Sequence, residues 1–311
     1  MESFAYFGGQ FVPHSQAKVG IMTHALNYGT ACFEGIRAYW SQDRFSIFRM
    51  KDHYQRLRSS SRILKMSLPH DVDELCRLTT ELLAMNPYRE DAYIRPMAYK
   101  CSEVLGVRLH NVDDGFFIFV IPFGAYLDTE KGIACGTSSW KRVDDDMIPA
   151  RAKITGAYIN SALAKTEAVD NGFDEAILLT RDGHVSEGSG ENIFLVINGR
   201  LVTPPVSDNI LVGITRQSVI EIASKELGIQ TDERTIDRSE IYTADECFLT
   251  GTAGELAPVL SVDHRPVGSG AIGPVSAKLQ KLYLQIARGQ REAYHNWCTF
   301  VEPSLVETAR K

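Results

Sequence analysis

Between residues 30 and 122 the apolar residues change their spacing from strand to helix and back, and this alternation limits the architectures open to the chain. Residues 30–39 and 44–48 have the aromatic and β-branched content of paired strands, with Gly35 marking a bulge or a close approach of another backbone. The period then becomes helical, with Tyr54, Leu57, Ser61 and Leu64 recurring on one face. A second helix is predicted from Asp71, whose carboxylate can cap the first turn while Glu74 reaches back, and Leu75, Leu78 and Leu82 form its inner stripe. Residues 91–100 and 115–122 return to strand character. Sheet and helix alternate without the regular βαβ rhythm of a nucleotide-binding fold, so the first third reads as a compact α+β domain.

At 311 residues the chain is long for one hydrophobic core, since cores stop growing near ~250–300 residues. Two domains are expected: a smaller N-terminal α+β domain over residues 1–127, a polar linker over 128–134 and a larger domain over 135–311. FGGQF near the start predicts a Gly-Gly hairpin. The second part carries predicted strands at 133–139, 175–180, 192–197, 200–203 and 246–250, with Asn198-Gly199 as a type I′ turn. Its clearest helix spans 214–227, opening at Gly213, carrying Ile220, Ala223 and Leu227 on one face and closing at Gly228. The tail from Ser304 is polar and expected to fray.

The net charge is −6 and no run of like charges could track a phosphate backbone or a lipid surface, so neither nucleic acid nor membrane is expected as a partner. The most apolar stretch, residues 116–127, is broken by Pro122 and falls short of the ~20 residues a spanning helix needs. The opening MESFAYFGGQF has no basic n-region, sustained apolar run or small-residue cleavage site, and a cytoplasmic address is expected. Six cysteines are scattered without a CxxC pair or metal-ligand spacing, which predicts free thiols and no metal.

Four places invite chemistry. VGITR leads into a helix and LTGTAGE follows a strand; both can present backbone amides and threonine hydroxyls to a phosphate, or serve as ordinary caps and turns. SEGSGENIF sets two carboxylates in a turn ahead of an apolar strand, a pattern that suits acid/base work or plain solvation. RAKITGAYIN places a lysine among small residues, and a nucleophilic lysine must be desolvated or set beside another positive charge to lose its proton.

These segments occur in one order with THALNYGT, FEGIRAY, QRL, AYIRP, LGV, GAY, TPP, GITR and GTAGE, and from about Gly8 to about Thr252 the chain resembles the branched-chain amino acid aminotransferases. These are fold-type IV pyridoxal-phosphate enzymes, mixed α/β proteins with a small α+β domain and a larger, β-barrel-like cofactor domain. The resemblance implies transamination of leucine, isoleucine or valine with 2-oxoglutarate by a cytoplasmic homodimer, using pyridoxal 5′-phosphate. It assigns Lys153 the covalent link to the cofactor and the proton transfer, and Glu187 the pyridine nitrogen. Arg56, Ile214, Thr215, Gly251 and Thr252 would hold the phosphate, Tyr158 the phenolic oxygen, and Leu211 belongs with the cofactor residues. Tyr93 and the amides of Thr252 and Ala253 would take the substrate carboxylate, and Arg95 the side-chain carboxylate of glutamate. Phe33 and Tyr126, with Tyr28 and Val107 from a neighbouring subunit, would wall an apolar pocket.

Phe123 departs from the family, which often has tryptophan there, and a smaller ring is expected to widen the pocket toward bulkier aromatic or non-standard amines. The rival readings are a D-amino acid or (R)-amine aminotransferase on the same scaffold, a lyase of an aminodeoxychorismate-like substrate, which the complete YIRP segment opposes, and a non-catalytic descendant. The YIRP and GTAGE segments favour the branched-chain type, and the retention of Lys153, Glu187 and Arg56 opposes loss of activity.

Overall fold

The computed structural model describes residues 2–302, which form two compact units. The first holds the described residues up to Gly124, Ala152–Gly156 and those from Gln285 on; the second holds Ala125–Arg151 and Ala157–Leu284. The tail from Ser304 lies outside the described residues.

In the first unit, Gly8 and Gly9, at φ 60° and 84°, close β1 (Phe4–Phe7) and β2 (Gln10–Pro13) into the expected hairpin. Helix α1 (His24–Tyr28) ends at Gly29. The stretch expected as one strand over 30–39 is two, β3 (Ala31–Phe33) and β4 (Ile36–Ser41), which pair in succession with β6 (Ala92–Lys100). The break at Glu34 and Gly35 falls opposite Arg95 and Pro96. Proline has no N–H for the ladder, and its carbonyl instead accepts the Glu34 N–H at 2.9 Å. β5 (Arg44–Phe48) pairs with β4, and β7 (Asp114–Pro122) runs antiparallel to all nine residues of β6. Phe116, Ile118 and Val120 of β7 are buried and alternate with more exposed neighbours, the pattern of a strand with one covered face.

Helix α2 (Met50–Ile63) buries Tyr54, Leu57 and Ser61 of the predicted face, whereas Leu64, the fourth, is the half-buried C-cap just past the helix. Helix α3 (Val72–Met85) buries Leu75, Leu78 and Leu82, and Asp71 caps it by accepting the Glu74 N–H at 2.9 Å. The expected return contact is replaced: both Glu74 oxygens accept from Arg77, one turn along, each at 2.8 Å. Among the described residues these strands and Cys298–Val301 make one eight-stranded sheet. Its order is Cys298–Val301, β5, β4, β6, β7, β1, β2, with β3 on β6.

The division therefore differs from the expected one. The boundary falls at Gly124, ahead of 128–134, whose last two residues already belong to a strand. Residues from 285 join the first unit because Cys298–Val301 pairs with β5. Residues 152–156 join it through a bridge between Cys32 and Ile154.

The second unit is a mixed sheet. Its strands among the described residues are β8 (Ile133–Lys141), β9 (Glu175–Leu179), β10 (Val185–Gly188), β11 (Asn192–Ile197), β12 (Arg200–Thr203), β13 (Thr231–Glu233), β14 (Glu246–Gly251), β15 (Glu255–Val262) and β16 (Arg265–Pro266). They lie in the order β10, β9, β8, β15, β14, β11, β12, β13, with β16 on β15. Asn198 and Gly199, at φ 50° and 74°, make the expected turn between β11 and β12. β8 and β9 are parallel, which demands a crossover, and α4 (Tyr158–Asp170) supplies it. Ala164 and Ala168 of α4 pack on Ala176 and Leu178, so small side chains bring that helix close to the sheet. A larger core containing Ile133, Ile177, Val185, Ile193, Leu195 and Leu249 fills this unit. Helix α5 (Ile214–Leu227) starts and stops where expected, but its buried face runs through Thr215, Arg216, Ser218, Val219, Ile222 and Ala223. Ile220 and Leu227 are only half-buried, because polar residues near the helix start occupy the inner side.

The half-formed cap gives a clear contrast. Asp71→Ala is expected to lower stability by about 1 kcal/mol, whereas Glu74→Gln, which loses only an exposed pair with Arg77, leaves the urea midpoint nearly unchanged. Equal midpoint shifts for the two variants would contradict this assignment.

Candidate active site

Lys153 lies in the short segment that belongs to the first unit. Its backbone is held from both sides: its N–H donates to Ser60 Oγ of α2 at 3.2 Å, and its carbonyl accepts the Phe33 N–H at 3.1 Å. The side chain is half-buried, with Nζ 5.2 Å from the centre of the Phe33 ring. Two residues on, Thr155 Oγ1 donates to the Gly29 carbonyl at 2.9 Å and Gly156 N–H to the same oxygen at 3.2 Å. A Cβ on Gly29, which has φ 67°, would stand 2.8 Å from Gly156 Cα, so this contact admits only glycine.

Arg56, half-buried, joins the buried Glu34 and His53 in a trio. Its Nε and Nη2 donate to the two oxygens of Glu34 at 2.8 and 2.7 Å, the planar fork that arginine makes with a carboxylate. His53, one turn earlier on α2, contacts Glu34 Oε2 through Nδ1 at 2.7 Å. Burial alone would raise the Glu34 pKa, yet Arg56 and His53 outweigh it and hold the group at about 2. Burial lowers the His53 pKa against the pull of Glu34, so the imidazole is neutral. An ionised carboxylate can only accept, which puts the His53 proton on Nδ1.

Phe33, Tyr93 and Arg95 meet. The Arg95 guanidinium stacks over Phe33 at 4.2 Å and Tyr93 at 5.1 Å, and its Nη2 donates to Tyr93 Oη at 2.8 Å. Arg95 Nε is buried with no hydrogen-bond partner among the described residues. A Cβ on Gly35 would overlap Tyr93 Oη, so the glycine is the close approach that sequence suggested, made to a side chain. Phe123 leans on Tyr93 at 5.0 Å between ring centres, with the Arg37 guanidinium 5.0 Å from its own ring. Elsewhere in this unit Tyr28 accepts the Gly106 N–H at 3.0 Å, which ties α1 to the loop bearing Val107. Val107 itself is 90% exposed.

In the second unit Glu187 sits in β10, buried, rather than in a solvated turn. Arg142 Nη2 stands 2.9 Å from its Oε1, and Oε2 accepts the Leu211 N–H at 3.0 Å and Asn192 Nδ2 at 3.1 Å. Asn192 Nδ2 also donates to the Leu211 carbonyl at 2.9 Å. Two residues past Leu211, α5 opens at Gly213 without a side-chain cap, with Ile214 and Thr215 buried. A Cβ on Gly213 would overlap Asn192 Oδ1. Gly251 ends β14, and Thr252, Ala253 and Gly254 form the turn to β15; a Cβ on Gly251 would meet Glu191 Cγ at 3.2 Å. Tyr158 opens α4, and Tyr126 is half-exposed with Lys165 Nζ 6.0 Å from its ring centre. Among the described residues no group of three or more His, Cys, Asp or Glu could hold a metal ion.

The sequence pattern of the family described as amino-transferase class IV matches residues 31–262. The chain belongs to the class IV aminotransferases. It is 49% identical over 298 residues to a probable branched-chain-amino-acid aminotransferase of Aquifex aeolicus, covering 95% of this chain and 96% of that one. It is 40% identical over 301 residues to the branched-chain-amino-acid aminotransferase of Escherichia coli K12, covering 94% and 96%. The crystal structure of the branched-chain aminotransferase of Thermoproteus uzoniensis with norvaline superposes with TM-score 0.92 at 41% identity, covering 96% of this chain and 99% of that one. That of the branched-chain amino acid aminotransferase of Thermobaculum terrenum in its PLP-bound holo form gives 0.92 at 36%, covering 96% and 98%.

Reading this aminotransferase from sequence alone missed Glu34, His53, Arg142, Asn192 and the packing role of Glu191. Glu34 lies inside FEGIRAY, and His53 and Arg56 are three apart on one helix, a spacing that puts both on the same face. Arg142 follows the exposed end of β8, where a charge reads as the point of exit to solvent.

Glu34 makes acid stability a test. Its folded pKa of about 2 lies below the ordinary 4.5, so the stability it confers is complete above pH 4.5 and disappears as the pH falls toward 2. Glu34→Gln is expected to be less stable at pH 7 and to lose less stability between pH 4.5 and 2 than the wild type. Parallel stability curves over that window would show that Glu34 does not carry this charge.

Proposed function

We propose that this aminotransferase transfers the amino group of leucine, isoleucine or valine to 2-oxoglutarate with pyridoxal 5′-phosphate, giving the branched 2-oxo acid and L-glutamate. One observation carries the reading. Glu187, buried against Arg142, is joined through the Leu211 amide to the segment that opens α5, where helix amides stand without a side-chain cap. An acid for a ring nitrogen and an anion-attracting helix start thus share one connection, the donor set that a phosphorylated pyridine requires.

Bound, the cofactor supplies an aldehyde that takes up the amino group and a ring that accepts charge from the substrate. Lys153 Nζ is the group we assign to the covalent link and to carrying the proton to and from the substrate α-carbon. Glu187 keeps the ring nitrogen protonated. Arg56, with the amides and hydroxyls of Ile214, Thr215, Gly251 and Thr252, serves the phosphate, and Tyr158 the phenolic oxygen. Tyr93 and the amides of Thr252 and Ala253 take the α-carboxylate. Arg95 takes the side-chain carboxylate of glutamate, its guanidinium held in place by Phe33 and the Tyr93 hydroxyl. Phe33 and Tyr126 line the apolar pocket.

A homodimer completes the reading, with Tyr28 and Val107 walling the pocket of a second copy. Its support is an apolar surface on hydrogen-bonded segments: Ile21 is 86% exposed, Leu26 64%, Leu105 67% and Val107 90%. Val107→Lys is expected to shift the sedimentation profile toward monomer and to raise the KM for leucine. A wild type that sediments as a monomer while fully active would remove this part of the proposal. We also place the enzyme in the cytoplasm, in keeping with six free cysteines, which suit a reducing compartment.

Purified protein should show a visible absorbance band that is absent in Lys153→Ala, and leucine, isoleucine and valine should lead an amino-donor panel against 2-oxoglutarate. A colourless preparation that stays inactive with added pyridoxal phosphate would overturn the proposal. Phe123 raises a second reading, since its phenyl ring forms a smaller wall beside Tyr93. Turnover of phenylalanine or (R)-1-phenylethylamine at a kcat/KM comparable to leucine would support wider substrate acceptance or the (R)-amine alternative, and negligible turnover of both would end it.

A further inference from the structure

Arg142 makes more contacts than a counter-ion needs. Its own N–H donates to the Leu179 carbonyl at 2.9 Å, which fixes its backbone where β8 ends. The guanidinium then spans two acceptors, Glu187 Oε1 at 2.9 Å and, through Nε, the Asn209 carbonyl at 3.3 Å. Asn209 is held at φ 60°, and its Nδ2 donates back to Asp144 Oδ1 at 2.7 Å, closing a ring of contacts with the segment after Arg142. Two residues beyond Asn209, the Leu211 N–H reaches the other oxygen of Glu187 at 3.0 Å.

We propose that Arg142 is a positioning residue that holds Glu187 ionised and oriented and, through Asn209, sets the segment that delivers the Leu211 amide to the same carboxylate. The proposal rests on the functional reading above. A planar guanidinium can serve a carboxylate and a carbonyl together, whereas an ammonium on a flexible stem serves one of them at a time. Without the guanidinium, the buried Glu187 carboxylate loses the cation 2.9 Å from Oε1 and turns toward its other donors, which makes it a poorer partner for a bound ring nitrogen.

The test is a double-mutant cycle on the Kd of pyridoxal phosphate for the apoenzyme, with the visible spectrum of each holoenzyme recorded alongside. Arg142→Met is expected to weaken Kd about 10-fold in the wild-type background and by less than about 3-fold in Glu187→Gln, because contacting residues couple. Its visible band should move in the direction that Glu187→Gln moves it, and Arg142→Lys should recover the band but only part of the affinity. Equal losses in both backgrounds with an unshifted band would overturn the proposal and leave Arg142 a purely structural residue. If Arg142→Met does not fold, Arg142→Lys read in the same two backgrounds decides the question. A wild-type protein that binds no pyridoxal phosphate overturns the functional reading itself, a failure visible before any variant is made.

Discussion

A carboxylate without access to water keeps its charge only while its counter-ion stays in place, and Glu34 is fully buried yet held at about 2. That requirement links the parts of the first unit that concern chemistry. Glu34 occupies the break between β3 and β4, and Arg56 and His53 reach it from consecutive turns of α2. The same break sends the Phe33 N–H to the Lys153 carbonyl, and the next turn of α2 gives Ser60 to the Lys153 N–H. The backbone of the lysine is therefore fixed by the elements that the ion pair fixes. Moving Glu34 would disturb both the arginine and the lysine.

The second unit solves a related problem with different means. Glu187 is buried in a strand, and its donors come from three other segments: Arg142 after β8, Asn192 at the start of β11 and Leu211 ahead of α5. A side chain held from three directions cannot rotate to relieve a mismatch. Gly213 belongs to the same arrangement, because any larger residue there would displace Asn192, and Asn192 touches both Glu187 and Leu211.

Features written in adjacent residues were legible in the sequence: the Gly8–Gly9 and Asn198–Gly199 hairpins, the Asp71 cap, the inner stripe of α3 and both ends of α5. Each is decided by local backbone preference or by a period of a few residues. Features decided by distant partners were not. The break at Glu34 depends on Pro96 lying opposite it, and the charge of Glu34 on an arginine 22 residues away. The inner face of α5 was misplaced because Arg216 is buried there against Glu233 and the Pro204 carbonyl, contacts that hydrophobic periodicity does not register. The residues proposed for the site came from motif order, which names residues and leaves out those that hold them, so Arg142 and Glu34 emerged only from the structure.

Arg95 shows how one wall can meet two kinds of substrate in the proposed reaction. Its guanidinium lies over the rings of Phe33 and Tyr93, so part of its charge is met by ring faces and by the Tyr93 hydroxyl. An aliphatic side chain in that pocket contacts aromatic carbon and need not strip water from an isolated cation. A carboxylate approaching the edge of the guanidinium instead meets N–H donors. Stacking separates the two demands by direction, apolar contact across the rings and hydrogen bonding along the plane. A lysine at the same position could not do this, since an ammonium has no plane and holds its water more tightly.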